Sequence, residues 1–222
     1  MKKSFVIVLI LALAAGFATL WVFIEDLILE KTHPLPYREA VASAAAEYAV
    51  PQEVIYAVMS TESSFKSDAL SAKGAIGLMQ ITPETFSWLC AKNSAADANP
   101  ELLYNPETNI RYGTYFLSLL YTEFGVWDTV FAAYNAGRSK VNEWLQSDEY
   151  NNNGKIVNIP YPETAAYVEK VNKALLVYKK LYFGKEATRA EAAKLPETEP
   201  QEASADAQTG SDADFVPASA SA

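Results

Sequence analysis

The sequence predicts an all-α fold, and three observations support this prediction. Apolar residues recur at three- and four-residue spacing, as they do on one face of a helix, and the clearest case is Val54, Ile55, Val58 and Met59. Two Asn-Pro-Glu sequences, at 99–101 and 105–107, have the composition of a helix N-terminus. No segment shows sustained strand alternation or a hairpin signal.

The N-terminal residues 1–34 are predicted to be a membrane anchor followed by a short connector. An uncharged stretch of twenty residues, 5–24, matches the thickness of a bilayer. A cleavable signal peptide is the alternative, because Ala12-Leu13-Ala14 resembles a cleavage site, and the chain would then be secreted. Lys2 and Lys3 precede the stretch and acidic residues follow it, so the rest of the chain is expected on the extracytoplasmic side.

Residues 35–184 are predicted to form one helical domain. Helices are expected at 37–50, 51–65, from 83 onward, at 105–124, 127–136, 139–145 and 162–182. Gly125 and Gly137 are expected to end two of them, and Gly113 is expected where two helices approach closely. Residues 148–154, DEYNNNG, are predicted to be a polar turn.

The C-terminal residues 185–222 are predicted to be a disordered acidic tail. They carry five Glu and three Asp against two Lys and one Arg, and they contain few large apolar side chains. Such a segment cannot bury enough surface to offset the entropy of ordering it.

Composition excludes several classes of function. The net charge is −9 and no basic cluster is present, so nucleic acid is not an expected partner. The single Cys excludes an intrachain disulfide and a thiolate zinc site, and its WLC context predicts a buried small side chain at Cys90. The single His, His33, lies in the connector, which leaves a Ser-His or Cys-His arrangement without its base. The chemistry must therefore rest on carboxylates, hydroxyls and amides.

Glu62 is the candidate general acid. It continues the apolar stripe four residues after Val58, at the C-terminal end of its helix. Burial and the helix dipole both disfavour a negative charge there, so its pKa is expected to be raised. The alternative is a surface residue that pairs with Lys66 one turn later.

Three further groups of residues accompany Glu62 in a pattern that helix packing does not require. Ser63, Ser71, Gly74, Gly77, Met79 and Gln80 follow it as E-S-x7-S-x2-G-A-x-G-L-M-Q, with the glycines also readable as turn residues. The other groups are Ala133-Tyr134-Asn135-Ala136-Gly137 and Pro162-Glu163-Thr164-Ala165-Ala166-Tyr167-Val168. Together these blocks resemble the soluble-lytic-transglycosylase (SLT) catalytic domain of the lysozyme-like superfamily, over roughly residues 35–182.

The resemblance implies a lysozyme-like fold and a lytic transglycosylase acting on the glycan strands of peptidoglycan. Ordinary glycosidases use two carboxylates, whereas SLT enzymes use one Glu. That Glu protonates the oxygen between N-acetylmuramic acid and N-acetylglucosamine, then deprotonates the muramoyl 6-hydroxyl, which closes a 1,6-anhydro ring. Glu62 takes this role here. The resemblance implies no metal and no cofactor, and the residues point to no particular protein partner.

The same resemblance assigns substrate-binding positions. Tyr134 and Asn135 are expected to line the groove beside the acid, Glu163 to organise it, and Tyr167 to point towards the reacting sugar. Ser63, Ser71, Met79 and Gln80 are expected to contact the glycan. Each has a simpler alternative, since Asn135 suits a helix C-cap, Glu163 a first helical turn and Tyr167 the core. Thr82 and Ala165 depart from the family, which often has Met and Arg there, and this bears on subsite preference.

Two other functions remain open at this point. A goose-type lysozyme-like hydrolase on the same fold would use water and leave reducing ends. A catalytically silent wall-binding module would retain the fold without the chemistry. The intact Glu62, Ser71, Gln80 and Tyr134 favour an enzyme over the silent module.

Overall fold

The computed structural model describes residues 2–94 and 97–184. The eight α-helices of this part are α1 Lys2–Thr32, α2 Arg38–Tyr48, α3 Gln52–Ser63, α4 Pro83–Lys92, α5 Pro106–Phe124, α6 Trp127–Ala136, α7 Arg138–Trp144 and α8 Pro162–Tyr178. A 3-10 helix spans Pro100–Tyr104, and a π-helical turn spans Lys179–Phe183. The predicted acidic tail lies outside the described residues.

Helix α3 lies at the centre of the domain and packs against α2 and α8. Its six residues 54–59 are all buried, on every side of the helix. A helix that is apolar all round belongs in a core. Helix α5 packs on α2 and α6, and α6 packs on α8, so the outer helices enclose α3 and fix where its last turn points.

The predicted helix ends are confirmed where side chains or glycines set them. The side chain of Asn105 accepts a hydrogen bond from Thr108 N–H at the start of α5, and Asn99 caps the 3-10 helix in the same way. Gly125 follows α5 with φ 67°, and Gly137 follows α6 with φ 96°. Cys90 is buried, as predicted.

Two predicted boundaries were wrong. Helix α3 ends at Ser63 because the next residues, Ser64 and Phe65, take left-handed conformations with φ 51° and 65°. The last helix is α-helical only to Tyr178, and the π-helical turn follows it.

The structure also corrects the all-α prediction, because it contains a two-stranded hairpin. Strands β1 Asn151–Asn152 and β2 Lys155–Ile156 pair antiparallel. Asn153 and Gly154 between them both have positive φ, 52° and 82°, as a type I′ turn requires. The Asn-Gly dipeptide was the signal for this turn, although strands of two residues are too short to show alternation. The fold is therefore mostly helical.

The hairpin is attached to α6 through a buried threonine. The Thr129 hydroxyl accepts a hydrogen bond from Ile156 N–H at 2.9 Å and donates one to Gly154 O at 3.2 Å. Asp128, its neighbour, pairs with Lys155 and accepts a hydrogen bond from Asn172 of α8. One turn of α6 thus holds both the hairpin and the last helix.

The N-terminal stretch that predicted an anchor lies within α1. Among the residues that the structure describes, no helix meets the length and apolarity needed to cross a membrane. The connector after α1 packs onto the domain, since the ring of His33 lies 5.4 Å from that of Tyr178 and the Tyr182 hydroxyl donates to His33 O.

We expect Thr129→Val to lower the free energy of unfolding by about 1–3 kcal/mol, because it leaves a buried N–H and a partly buried carbonyl without their partner. Urea unfolding of the full chain measures this. Thr122→Val is the matched control: Thr122 is exposed, its hydroxyl bonds only within α5, and the change should cost less than about 0.5 kcal/mol. Equal costs for the two variants would contradict the role given to Thr129.

Candidate active site

Glu62 lies in the last turn of α3 and is partly buried. Its neighbour Ser63 is buried, and the Ser63 hydroxyl donates a hydrogen bond to Leu78 O at 2.8 Å. The end of α3 is therefore joined directly to the segment around residue 78. Glu62 is held between a helix terminus and this segment.

The segment from Leu70 to Ile81 is a compact loop. Single bridges pair Ile76 with Leu70 and with Ile81, and Gly77 and Gln80 have positive φ. The Gln80 amide nitrogen donates to Gly77 O at 2.9 Å, and the Ser71 hydroxyl accepts a hydrogen bond from Ala75 N–H at 3.0 Å. These two predicted sugar-binding side chains thus also maintain the shape of the loop.

Helix α6 contributes Tyr134 to the site. The Tyr134 hydroxyl donates a hydrogen bond to Met79 O at 2.8 Å, and its ring packs 5.1 Å from the ring of Phe116. Met79 is fully buried. The Tyr134 side chain therefore contacts the backbone of the loop at Met79. The Met79 side chain is part of the core.

Helix α8 contributes Tyr167, whose hydroxyl donates a hydrogen bond to Glu62 Oε1 at 2.7 Å. Tyr167 is buried, and Lys66 is exposed. The partner of the Glu62 carboxyl is thus a buried phenol, and the alternative of a surface pair between Glu62 and Lys66 was wrong.

The electrostatics of the site favour a carboxyl that titrates near neutral pH. Burial raises the pKa of Glu62 from its ordinary value of 4.5 to about 7, and the hydrogen bond from Tyr167 acts in the lowering direction. Burial, followed by the charge of Glu62, raises the pKa of Tyr134 and Tyr167 well above 10. At neutral pH both phenols stay protonated, and Glu62 exchanges its proton readily.

Asn135 and Glu163 lie at the edge of this arrangement. Asn135 is exposed, and its side-chain oxygen accepts a hydrogen bond from the Thr164 hydroxyl at 2.8 Å, which joins the end of α6 to the start of α8. Glu163 forms an exposed ion pair of 3.7 Å with Lys73 of the loop. The structure thus brings together Glu62, Ser63, Met79, Tyr134 and Tyr167. Of the other four predicted residues, Ser71 and Gln80 lie within the loop, and Asn135 and Glu163 lie at the edge of the site.

Sequence reasoning missed Asn109 of α5. This residue is fully buried, and its side chain forms three hydrogen bonds: Oδ1 accepts from Met79 N–H at 2.8 Å, and Nδ2 donates to Ile76 O at 2.9 Å and Leu103 O at 2.8 Å. The sequence did contain a signal for Asn109. This polar residue stands directly before the apolar Ile110 and lies at helical spacing, three and four residues, from Tyr112 and Gly113, which places it on the buried face of α5. The same kind of signal identified Glu62.

Two further observations describe what surrounds the site. In residues 2–94 and 97–184, no group of three or more His, Cys, Asp or Glu is arranged to hold a metal ion. A cavity of about 410 Å³ is lined by Ser60, Thr61, Ser64 and residues of α8, and one of about 520 Å³ lies between α2 and the start of α5. Glu62 lines neither of these two cavities. The site is therefore identified by the hydrogen bond from Tyr167 to Glu62 and by the raised pKa of Glu62.

Comparison with known proteins gives the family. The family model described as the transglycosylase SLT domain matches residues 39–157, which is more than half of the chain. This chain belongs to the transglycosylase SLT domain family. Glu62, Met79, Asn109 and Tyr134 lie within the matched part of the SLT domain, and Tyr167 lies beyond it.

Named relatives are longer than this SLT protein. The soluble lytic murein transglycosylase of Escherichia coli K12 is 36% identical over 152 residues, which are 64% of this chain and 23% of that protein. Membrane-bound lytic murein transglycosylase C of Glaesserella parasuis is 32% identical over 166 residues, 64% of this chain and 46% of that protein. The chain thus spans about a quarter to a half of the length of these relatives.

Solved structures agree on the fold. An inactive glutamate-to-glutamine mutant of the lytic transglycosylase Slt from Pseudomonas aeruginosa superposes with a TM-score of 0.62 and 31% identity, covering 70% of this chain and 26% of that one. The 70-kDa soluble lytic transglycosylase of Escherichia coli gives a TM-score of 0.63 and 32% identity, covering 68% and 25%. The SLT domain therefore has the lysozyme-like fold that the sequence predicts.

The raised pKa of Glu62 makes a prediction about stability. Below pH 4.5 the carboxyl is protonated in the folded and the unfolded chain, and above about pH 7 the folded chain must hold an unfavourable charge. Stability contributed by this group is therefore lost as the pH rises through 7. Gln does not ionise, so Glu62→Gln does not lose this stability. Its free energy of unfolding minus that of the wild type should therefore rise by roughly 1–3 kcal/mol between pH 4 and pH 8, as measured by urea unfolding.

Glu149→Gln, a change of an exposed residue, is the control and should shift by less than about 0.5 kcal/mol over the same range. A gap between Glu62→Gln and the wild type that does not grow with pH would show that the carboxyl is not buried enough to titrate near 7.

Proposed function

We propose that this SLT domain is a peptidoglycan lytic transglycosylase. It cleaves the β-1,4 bond between N-acetylmuramic acid and N-acetylglucosamine and forms 1,6-anhydro-N-acetylmuramic acid. The observation that carries the proposal is a single carboxyl, Glu62, with a pKa near 7 and a hydrogen bond from buried Tyr167, in a chain of the SLT family. The domain boundaries we propose are residues 35–184.

The first step requires a proton donor. Protonated Glu62 gives its proton to the glycosidic oxygen, the bond from that oxygen to C1 of the muramoyl unit breaks, and the N-acetylglucosamine side leaves as an alcohol. Burial favours this step, because it keeps the carboxyl protonated near neutral pH. The carboxylate that remains is stabilised by the Tyr167 hydroxyl.

The second step returns the proton. The Glu62 carboxylate removes the proton from the muramoyl 6-hydroxyl, and the 6-oxygen bonds to C1 to close the anhydro ring. Glu62 ends protonated and ready for the next bond. No water is consumed, because the muramoyl 6-hydroxyl of the substrate itself takes the place of water at C1.

The surroundings of Glu62 favour this mechanism over one with two carboxylates. Retaining and inverting glycosidases place a second carboxyl within about 5–10 Å of the first. In the part of the chain that the structure describes, the titratable side chains that interact with Glu62 are the phenols Tyr134 and Tyr167. A neutral phenol does not replace the nucleophilic or basic carboxylate of such an enzyme.

The comparisons support the proposal from a second direction. The relatives are named lytic murein transglycosylases, and a glutamate-to-glutamine mutant of one solved neighbour is described as inactive. We further propose that the glycan lies along the loop and the ends of α6 and α8. Its contacts would be Ser63, Ser71, Gln80, Tyr134, Asn135, Glu163 and Tyr167, whereas Met79, predicted from the sequence as a contact, is fully buried and would support the loop without touching the sugar.

We also propose that α1 holds the domain at the outer surface of the cytoplasmic membrane. Support comes from the uncharged stretch 5–24, from apolar α1 side chains that are exposed, among them Leu13, Phe17 and Leu20, and from relatives named membrane-bound. Taken by its length and apolarity, no helix of residues 2–94 and 97–184 qualifies as a membrane span.

The anchor is tested by cell fractionation. The full chain should remain with the membranes after a high-salt and alkaline wash, and Leu13→Arg combined with Leu20→Arg should be released, since each charge costs about 3 kcal/mol in a bilayer. Leu176→Arg, an exposed leucine on α8, is the control and should stay membrane-bound. Release of the wild type by the same wash would refute the anchor.

The activity is tested by mass spectrometry of digested peptidoglycan. Wild type should yield muramoyl ends that are lighter by one water than the hydrolytic product. Glu62→Gln should reduce the rate between about 100- and 10,000-fold, the usual range for loss of a general acid–base. The wild-type rate should decline above about pH 7, as Glu62 loses its proton.

Glu149→Gln should retain the wild-type rate. Wholly reducing muramoyl ends would instead establish the hydrolase, and equal release of product by wild type and Glu62→Gln would leave only a wall-binding module.

A further inference from the structure

Asn109 lies outside the residues that the proposed reaction uses, yet its side chain reaches the backbone beside Glu62. It lies in the first turn of α5 and is fully buried. Its side-chain amide forms its hydrogen bonds with backbone groups. A buried amide that forms three hydrogen bonds of 2.8–2.9 Å is fixed in one orientation. Such a residue can hold other groups in place.

The group it holds most directly is the peptide unit between Leu78 and Met79. The N–H of this unit donates to Asn109 Oδ1, and its carbonyl accepts from the hydroxyl of Ser63, the residue after Glu62. Both polar ends of one peptide unit are therefore bound by buried side chains. Buried hydrogen bonds in such a series reinforce one another.

The next carbonyl along the chain, Met79 O, accepts the hydrogen bond of Tyr134. The peptide unit that Asn109 binds thus connects it to Ser63, which bonds to Leu78 O, and the following carbonyl connects it to Tyr134, which bonds to Met79 O. Both residues are neighbours of Glu62. Burial raises the pKa of Tyr134, and the charge of Glu62 raises it further. A shift of this backbone would change what the Tyr134 hydroxyl faces.

Two glycines bring the loop close enough for this contact. A Cβ at Gly77 would lie 2.2 Å from Asn109 Nδ2, and one at Gly113 would lie 2.3 Å from the Met79 sulfur. Any larger residue would push the loop away from α5. The close approach of loop and helix is thus required by the hydrogen bonds of Asn109.

We propose that Asn109 is a positioning residue for the transglycosylase reaction: it fixes the Leu78–Met79 peptide unit and, through it, the places of Ser63 and the Tyr134 hydroxyl beside Glu62. This inference rests on the proposed function. Asn109 does not touch the sugar. It keeps the Tyr134 hydroxyl on Met79 O and therefore away from the carboxyl that must give up its proton.

The test compares Asn109→Ala with Thr129→Val in the full chain. Both remove buried hydrogen bonds to backbone groups, but Thr129 contacts the hairpin and not the site. At a temperature where circular dichroism shows both variants folded, Asn109→Ala should lower kcat about 10- to 100-fold with KM within about twofold, because misplacement near the reacting atoms costs this much. Thr129→Val should keep the wild-type kcat.

A second measurement does not depend on activity. The Glu62 carboxyl can be titrated by ¹³C NMR and assigned with Glu62→Gln. Asn109→Ala should lower its midpoint below the wild-type value, since a Tyr134 hydroxyl released from Met79 O can donate to the carboxylate. The lowering should vanish when Tyr134→Phe is added, and Thr129→Val should leave the midpoint unchanged. Tyr167, whose hydrogen bond lowers the pKa of Glu62, is retained throughout.

If the alanine variant does not fold, Asn109→Ser replaces it. This variant puts a hydroxyl where the amide was, and we expect the same effects in weaker form. A kcat and a midpoint for the Asn109 variant equal to those of Thr129→Val would overturn the proposal and leave Asn109 a residue of stability alone. A wild type that forms no anhydro product would refute the proposed function, and the midpoint would still decide the effect of Asn109 on Glu62.

Discussion

The site depends on one constraint: a carboxyl must stay out of water without losing the ability to ionise. Burial at the end of α3 disfavours the charge of Glu62, and the hydrogen bond from Tyr167 favours it. These opposing effects leave the pKa near 7. A carboxyl more exposed than this would be ionised at neutral pH, and one buried without the phenol would hold its proton too firmly to act as a base.

The rest of the fold maintains this balance. Residues 54–59 of α3 are buried on all sides, and Ser63 at its end is buried as well, so the core holds the helix that carries Glu62. Helix α8 supplies Tyr167, α6 supplies Tyr134, and α5 supplies Asn109, and three of these four helices meet at the loop around Met79. The loop beside the carboxyl is thus held by hydrogen bonds from the side chains of Ser63, Asn109 and Tyr134 to its backbone.

Local rules predicted much of this structure from the sequence. The stripe of α3, the Asn caps and the terminating glycines depend on neighbouring residues, and so did the placement of Glu62 on a buried face. The hairpin was overlooked because two-residue strands show no alternation. Asn109 was overlooked because its partners are backbone groups 6, 30 and 33 residues away, and every residue type carries such groups. Tyr167, 105 residues from Glu62, was found only through the family resemblance.

The central claim is that burial keeps Glu62 protonated close to neutral pH, and its own titration tests this most directly. In the full wild-type chain, ¹³C NMR of the Glu side-chain carboxyls, with Glu62 assigned by its absence in Glu62→Gln, should show a midpoint of about 7. A midpoint near the ordinary value of 4.5 would contradict the account, because the carboxyl would then be an ionised surface group at the pH where it is required to donate a proton.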